Sequence, residues 1–261
     1  MPDDAERKEM LNRRTFLISA TALVTIGGTV AASADSTRIR SRSALVYRGP
    51  ASSPGCPEAV ARLLESAPDP YDVTFCGPDE DVPLSARTLA SASLYAQPGG
   101  GDLLSAWVHM EQYAEPIRGW VRTGGHYLGF CLGGYLAGAT PSFGLLPGDT
   151  ARYISSRGSD IDTTENSIVE VSWRGEPRSM FFQDGPIFVL RDDAPVEVLA
   201  RYRNGKVAAV VTEFGLGRVG VVGPHPEADR SWYTRGLSNP DGIRSDLGHD
   251  LIETVTLVPQ Q

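Results

Sequence analysis

His126-Tyr127-Leu128-Gly129-Phe130-Cys131-Leu132-Gly133-Gly134 is the stretch that decides how this chain folds. Its first five residues form a short apolar run with the length of a buried strand. The run stops at Cys131, and two glycines then open a small-residue helix, predicted at Tyr135-Leu136-Ala137-Gly138-Ala139. A strand that breaks into a helix at one reactive side chain is a nucleophile elbow, here with sulfur in place of the usual hydroxyl. Glycines flank such a turn because it is strained and neighbouring backbone approaches it closely. A side chain at the apex stands above the sheet, with the N–H of the next residue, Leu132, free to hold an oxyanion. A buried thiol at a strand end is the alternative reading, since free cysteine is among the most buried residue types.

Upstream, strands alternate with helical segments. Ala44-Leu45-Val46-Tyr47 is predicted as a strand, followed by a Gly/Pro/Ser loop and a helix over residues 57–66 that begins with proline. Asp72-Val73-Thr74-Phe75 and Ser93-Leu94-Tyr95-Ala96 are predicted as further strands, and residues 115–123 as the helix that leads into the elbow strand. This alternation implies an α/β fold, a doubly wound and mostly parallel sheet of flavodoxin-like type. After Pro141 the pattern changes to short strands at residues 168–173, 179–183, 196–202, 207–214 and 218–222, separated by Gly/Pro turns. They read as an antiparallel β extension of one domain, closed by a helix within residues 242–258.

Two other segments complete a candidate site. Gly223-Pro224-His225-Pro226-Glu227 follows a predicted strand directly. A cysteine nucleophile needs a base, and the base needs a group to orient its second ring nitrogen. His225 and Glu227 supply the two, with Pro226 stiffening the chain between them. Gln97-Pro98-Gly99-Gly100-Gly101 follows another strand, at the carboxyl edge where a parallel sheet gathers its ligand-binding loops. Backbone N–H groups of Gly99 and Gly100, with that of Leu132, form the expected oxyanion hole.

Together these motifs resemble the class I glutamine amidotransferase-like superfamily: a Gly-x-Cys-x-Gly elbow, a Pro-Gly-Gly loop and a late His-Pro-Glu. More narrowly, the chain resembles the amidotransferase-like domain at the N-terminus of some biotin–protein ligases. Val46-Tyr47-Arg48-Gly49-Pro50, Gln97 to Gly100, Gly124 to Tyr135, Val196 to Ala200 and Gly223 to Glu227 carry that resemblance. It implies a catalytic triad of Cys131, His225 and Glu227. Two departures bear on function. Tyr135 stands where glutamine amidotransferases usually have Gln, and no glycine-rich nucleotide-binding signature with a basic residue behind it is found. Biotin ligase activity is therefore not expected.

The N-terminus carries Asn12-Arg13-Arg14-Thr15-Phe16-Leu17, a twin-arginine pattern, then a modestly apolar stretch and Ala32-Ser33-Ala34 as a cleavage signature. The apolar stretch falls short of the ~20 residues of a membrane span. Residues 1–34 are thus expected to be a signal peptide that engages the twin-arginine export machinery, leaving residues 35–261 as one domain. It would be periplasmic, extracellular or at the cell surface, with no stable membrane span after cleavage; an uncleaved anchor is the alternative.

The whole chain has a formal charge of −8, which argues against nucleic acid as the main partner. Of three cysteines, Cys56 and Cys76 lie after strands expected to be neighbours, so an oxidising compartment predicts a Cys56–Cys76 disulfide. His109 with Glu111, and His249 with Asp250, have no companion cluster at metal-ligand spacing, so no metal and no cofactor are expected. His126 reads as structural, and Asp184 as a turn residue bordering the cleft. The sequence thus predicts an exported cysteine hydrolase acting on a small-molecule or peptide substrate with an amide or related acyl bond. A non-catalytic ligand-binding domain that keeps the fold is the alternative.

Overall fold

The computed structural model describes residues 42–257 apart from 140 and 235. The signal sequence proposed for residues 1–34 lies outside the described residues. In chain order the first half comprises β1 (Arg42–Tyr47), α1 (Cys56–Glu65), β2 (Tyr71–Cys76), α2 (Ala86–Leu89), β3 (Leu94–Gln97), α3 (Leu103–Met110), α4 (Ala114–Arg122), β4 (His126–Phe130) and α5 (Leu132–Leu136). The second half is almost all strand. It runs β5 (Gly148–Arg152), β6 (Ser167–Trp173), β7 (Glu176–Phe182), β8 (Pro186–Leu190), β9 (Val196–Tyr202), β10 (Val207–Phe214) and β11 (Gly217–Val222), and ends in α6 (Ser245–Thr256).

All the strands join one mixed sheet with the order β2-β1-β3-β4-β11-β10-β9-β6-β7. The first five in that order pair in parallel. From β11 onward every pairing is antiparallel, and β8 pairs with β10 and β5 beside the main path. The expected doubly wound sheet and its antiparallel extension are both present.

Each parallel strand is covered on two faces, which is why it reads as a continuous apolar run. Ala44 and Val46 of β1 point to one face, where Val60, Leu63 and Leu64 of α1 meet Leu247, Leu251 and Val255 of α6. The periodic spacing of those leucines and valines turns one stripe of each helix to the sheet. Leu45 and Tyr47 point to the other face, against Met110 of α3, Ile117 and Val121 of α4, and Leu136 of α5. In the extension, β6 alternates buried and exposed residues from Val169 to Trp173, the pattern of a sheet with one wet face.

Three elements depart from the sequence reading. The helix after Cys131 begins at once, at Leu132, rather than at Tyr135. Strand β5 is polar and mostly exposed, so its sequence has no strand-like alternation. Helix α3 exposes Leu104 and Val108 while burying Ala106 and Met110, which blurs its apolar stripe.

The parallel strands end together, and the elbow packs against the end of β3 at one tight point. A Cβ on Gly133 would lie 2.0 Å from Gln97 O and 2.9 Å from Gln97 C. Backbone cannot yield as a flexible side chain can, so only glycine fits there. Gly133→Ala should lower the unfolding free energy in urea by about 1–3 kcal/mol, the usual cost of overpacking. An unchanged urea midpoint would show that the contact is loose.

Candidate active site

Cys131 occupies the turn between β4 and α5 with φ 48° and ψ −101°. Positive φ is uncommon outside glycine and costs on the order of 1–3 kcal/mol, so the surroundings must impose it. They do so by hydrogen bonds on either side of the turn. The Cys131 N–H donates to Val222 O at 2.9 Å, which ties the elbow to β11. Buried Tyr127 donates its hydroxyl to Gly133 O at 2.7 Å, which ties the start of α5 back onto β4. The Cys131 thiol itself donates to Gln183 O at 3.5 Å.

The loop after β3 is fixed by a buried polar chain. Tyr95 donates to Gln97 Oε1 at 2.6 Å, and Gln97 Nε2 donates to Ala51 O at 2.8 Å. The Ser53 N–H adds a bond to Gly99 O at 3.1 Å, which joins this loop to the one after β1. Gly100 then packs on the elbow, where a Cβ would lie 2.5 Å from Leu132 Cδ2. Among the described residues, neither the Gly100 N–H nor the Leu132 N–H has a hydrogen-bond partner. Both residues line the cleft that Cys131 faces. Gly99 has a different place: a Cβ there would lie 2.8 Å from His225 Cε1, so its lack of a side chain makes room for the imidazole.

His225 and Glu227 leave β11 and turn under the elbow. Both are buried, and the Glu227 side chain is fully enclosed. His225 Nδ1 lies 2.8 Å from Glu227 Oε1, so Nδ1–H donates to the carboxylate and Nε2 is left for Cys131. Burial by itself disfavours a charged imidazole. The Glu227 carboxylate and the nearby Cys131 outweigh it, and they raise the His225 pKa well above the usual histidine range. The ring is also held by aromatic edges, with Phe181 at 5.7 Å and Trp232 at 5.1 Å between centroids. A backbone bond from the His225 N–H to Phe181 O at 2.9 Å completes the fit. Among the described residues, Glu227 Oε2 is buried without a partner.

The cleft above Cys131 has a volume of about 670 Å³. Its lining combines apolar Leu103, Leu104 and Leu132 with polar Tyr135, Arg152, Gln183 and Asp184. Tyr135 donates its hydroxyl to Asp184 O at 3.1 Å. Arg152 reaches both carboxylate oxygens of Asp184, with Nε at 3.0 Å from Oδ1. Asp184 holds φ 50°, so the turn residue expected at the cleft border is also conformationally special.

Arg152, Gln183, Phe181 and Trp232 were not singled out by sequence. Arg152 and Gln183 have no local signal, because pairing within the antiparallel extension brings them to the cleft. Trp232 did carry one, as an aromatic pair with Tyr233 shortly after His225-Pro226-Glu227. His109 is exposed on α3, and His249 lies 3.2 Å from Ser66 Oγ. His126 is half-buried at the start of β4, and burial lowers its pKa.

The expected Cys56–Cys76 disulfide is not formed, and all three cysteines are free thiols. Strand adjacency is as predicted, but the side chains diverge. In the parallel register Cys76 pairs with Tyr47 and shares its face of the sheet. Cys56 begins α1, which covers the opposite face, and it sits beside Gly99 near Cys131 and Glu227. Burial pushes both thiols up to about 12, so neither is a ready nucleophile.

Residues 42–151 match the family model described as biotin-protein ligase, N terminal. The matched segment takes in Gly99, Gly100, Cys131 and Leu132 and ends before His225 and Glu227. A curated biotin–protein ligase from Schizosaccharomyces pombe is 28% identical over 164 residues, covering 53% of this chain and 26% of the ligase. The alignment thus spans about a quarter of that relative's length. Among solved structures, PurLQS from Thermotoga maritima is similar with a TM-score of 0.56 at 20% identity, over 83% of this chain and 100% of that one. That likeness speaks to the fold alone. Over residues 42–151 the chain is therefore similar to the biotin-protein ligase N-terminal domain, and its fold is of the glutamine amidotransferase type.

Proposed function

We propose that this protein is an exported, amidotransferase-like cysteine hydrolase that cleaves an amide or related acyl bond with Cys131, His225 and Glu227. The observation that carries the reading is the buried 2.8 Å contact between His225 Nδ1 and Glu227 Oε1, on an imidazole that borders Cys131. A buried carboxylate–imidazole pair is expensive to maintain without a use for the oriented ring.

In the proposed reaction, Cys131 Sγ attacks the carbonyl carbon while His225 Nε2 accepts the thiol proton. N–H groups of Leu132 and of the Gly99–Gly100 loop hold the oxyanion that forms. The adduct collapses as the C–N bond breaks, and the amine departs with the proton from His225. An acyl thioester remains on Cys131. Water then attacks the thioester carbonyl and gives a proton to His225. The C–S bond breaks, the acid leaves, and the proton returns to sulfur.

Tyr135 favours a second reading, a non-catalytic ligand-binding domain. Its ring lines the cleft and its hydroxyl is committed to Asp184 O, which narrows the space for a glutamine-like amide. Attachment of biotin forms no part of either reading, since no glycine-rich nucleotide-binding signature with a basic residue behind it is found in the sequence.

Labelling by iodoacetamide near neutral pH distinguishes the two. The hydrolase reading expects selective alkylation at Cys131, slowed at least about tenfold in His225→Ala, and amide-library hydrolysis that falls on the order of 10³-fold in Cys131→Ala. Equal labelling rates with and without His225, and no turnover of any amide, would leave the binding domain.

Export is a separate part of the proposal and rests on Arg13-Arg14 and Ala32-Ser33-Ala34. Residues 35–261 would then be the mature single domain. In a host with the twin-arginine machinery, the full chain should yield an exported product beginning at Asp35, and Arg13→Lys/Arg14→Lys should retain the precursor inside. Export of the double variant at the normal rate would contradict the assignment.

A further inference from the structure

The proposed site has a cleft lined by two kinds of side chain, apolar and polar. Leu103 and Leu104, from the first turn of α3, line it with Leu132. One turn further along α3 stands Val108, and the outward face is exposed: Leu104 at 63% and Val108 at 75%. Residues four apart on a helix are neighbours, so the two form one apolar strip running out from the cleft mouth. An exposed apolar strip joined to a cleft marks a place where something apolar binds.

The rest of the lining is polar, but the charges of Arg152 and Asp184 are already committed to each other. Arg152 is the cation among the described residues that line the cleft, and both Asp184 oxygens hold it. Asp102, the N-cap of α3 beside Leu103, adds a second carboxylate to the cleft lining and interacts with Arg152. Two carboxylates against one guanidinium leave the cleft negative. A substrate carboxylate would meet no free cation there and would be repelled.

We infer that the substrate is a neutral amide bearing an apolar substituent, which lies along Leu103, Leu104 and Val108. The inference rests on the proposal that Cys131 is the group that meets the substrate. It does not depend on turnover, because binding beside Cys131 can be read from the rate at which that thiol is alkylated.

The test compares iodoacetamide, N-hexyliodoacetamide and iodoacetylglycine on the intact protein. Each rate at Cys131 is divided by the same reagent's rate with glutathione. The hexyl compound should then exceed iodoacetamide about tenfold, roughly the effect of burying two methylene groups. Iodoacetylglycine should fall below iodoacetamide. Leu104→Ser and Val108→Ser, both at exposed positions, should each reduce the hexyl-to-parent ratio at least about threefold. A hexyl ratio at or below one, or iodoacetylglycine reacting as fast as the hexyl reagent, would overturn the inference. The hydrolase reading fails on a different observation, namely unchanged iodoacetamide labelling in His225→Ala, so the two failures are distinguishable.

Discussion

The fold around the cleft depends on how closely the backbone of the elbow is pressed against the end of β3. Gly133 meets Gln97 O at a distance that no Cβ permits. That contact seats the start of α5 against the end of β3, while the bonds from Cys131 N–H to Val222 O and from Tyr127 to Gly133 O hold Cys131 at its positive φ. From this arrangement follow the exposure of Sγ to the cleft, the free N–H of Leu132 and the neighbouring position of Gly100. Gln97 takes part twice, since its side chain also joins the β3 loop to the loop after β1. Several loops are thereby fixed by one buried glutamine and one missing methyl group.

On the other side of Cys131 the controlling force is electrostatic. Burial would keep His225 neutral, and it would also penalise the Glu227 carboxylate. Each group is tolerable only because the other is there, at hydrogen-bond distance. Phe181 and Trp232 exclude water from the pair and fix the ring plane. An imidazole with a raised pKa and an oriented Nε2 is well suited to accept a thiol proton. The polar lining of the cleft follows the same rule of mutual compensation, with Arg152 and Asp184 spending their charges on each other.

Much of this was legible in the sequence, for reasons that are physical. Cys131, His225 and the Gly99–Gly100 loop each follow directly from a strand, and parallel strands bring their carboxyl ends to one edge whatever lies between them. The apolar runs at β1, β3 and β4 are unambiguous because both faces are covered. The antiparallel half was less legible. Arg152 lies on a polar strand that reaches the cleft only through pairing of β5 with β8 and of β8 with β10. No local pattern encodes that sequence of pairings. The Cys56–Cys76 expectation failed for a related reason: adjacency of strands says nothing about which face a side chain takes, and the register with Tyr47 turns Cys76 away from α1.

The central claim is that Glu227 orients the imidazole of His225 toward Cys131 and stabilises the charged ring that forms when it takes the thiol proton. The most direct measurement is an NMR pH titration of the His225 ring nitrogens in the unaltered protein and in Glu227→Gln. In the unaltered protein the ring should titrate well above the usual value of about 6.5. With the carboxylate neutralised, burial should prevail and carry the pKa down by at least about one unit. An identical His225 titration in the two proteins would contradict the account.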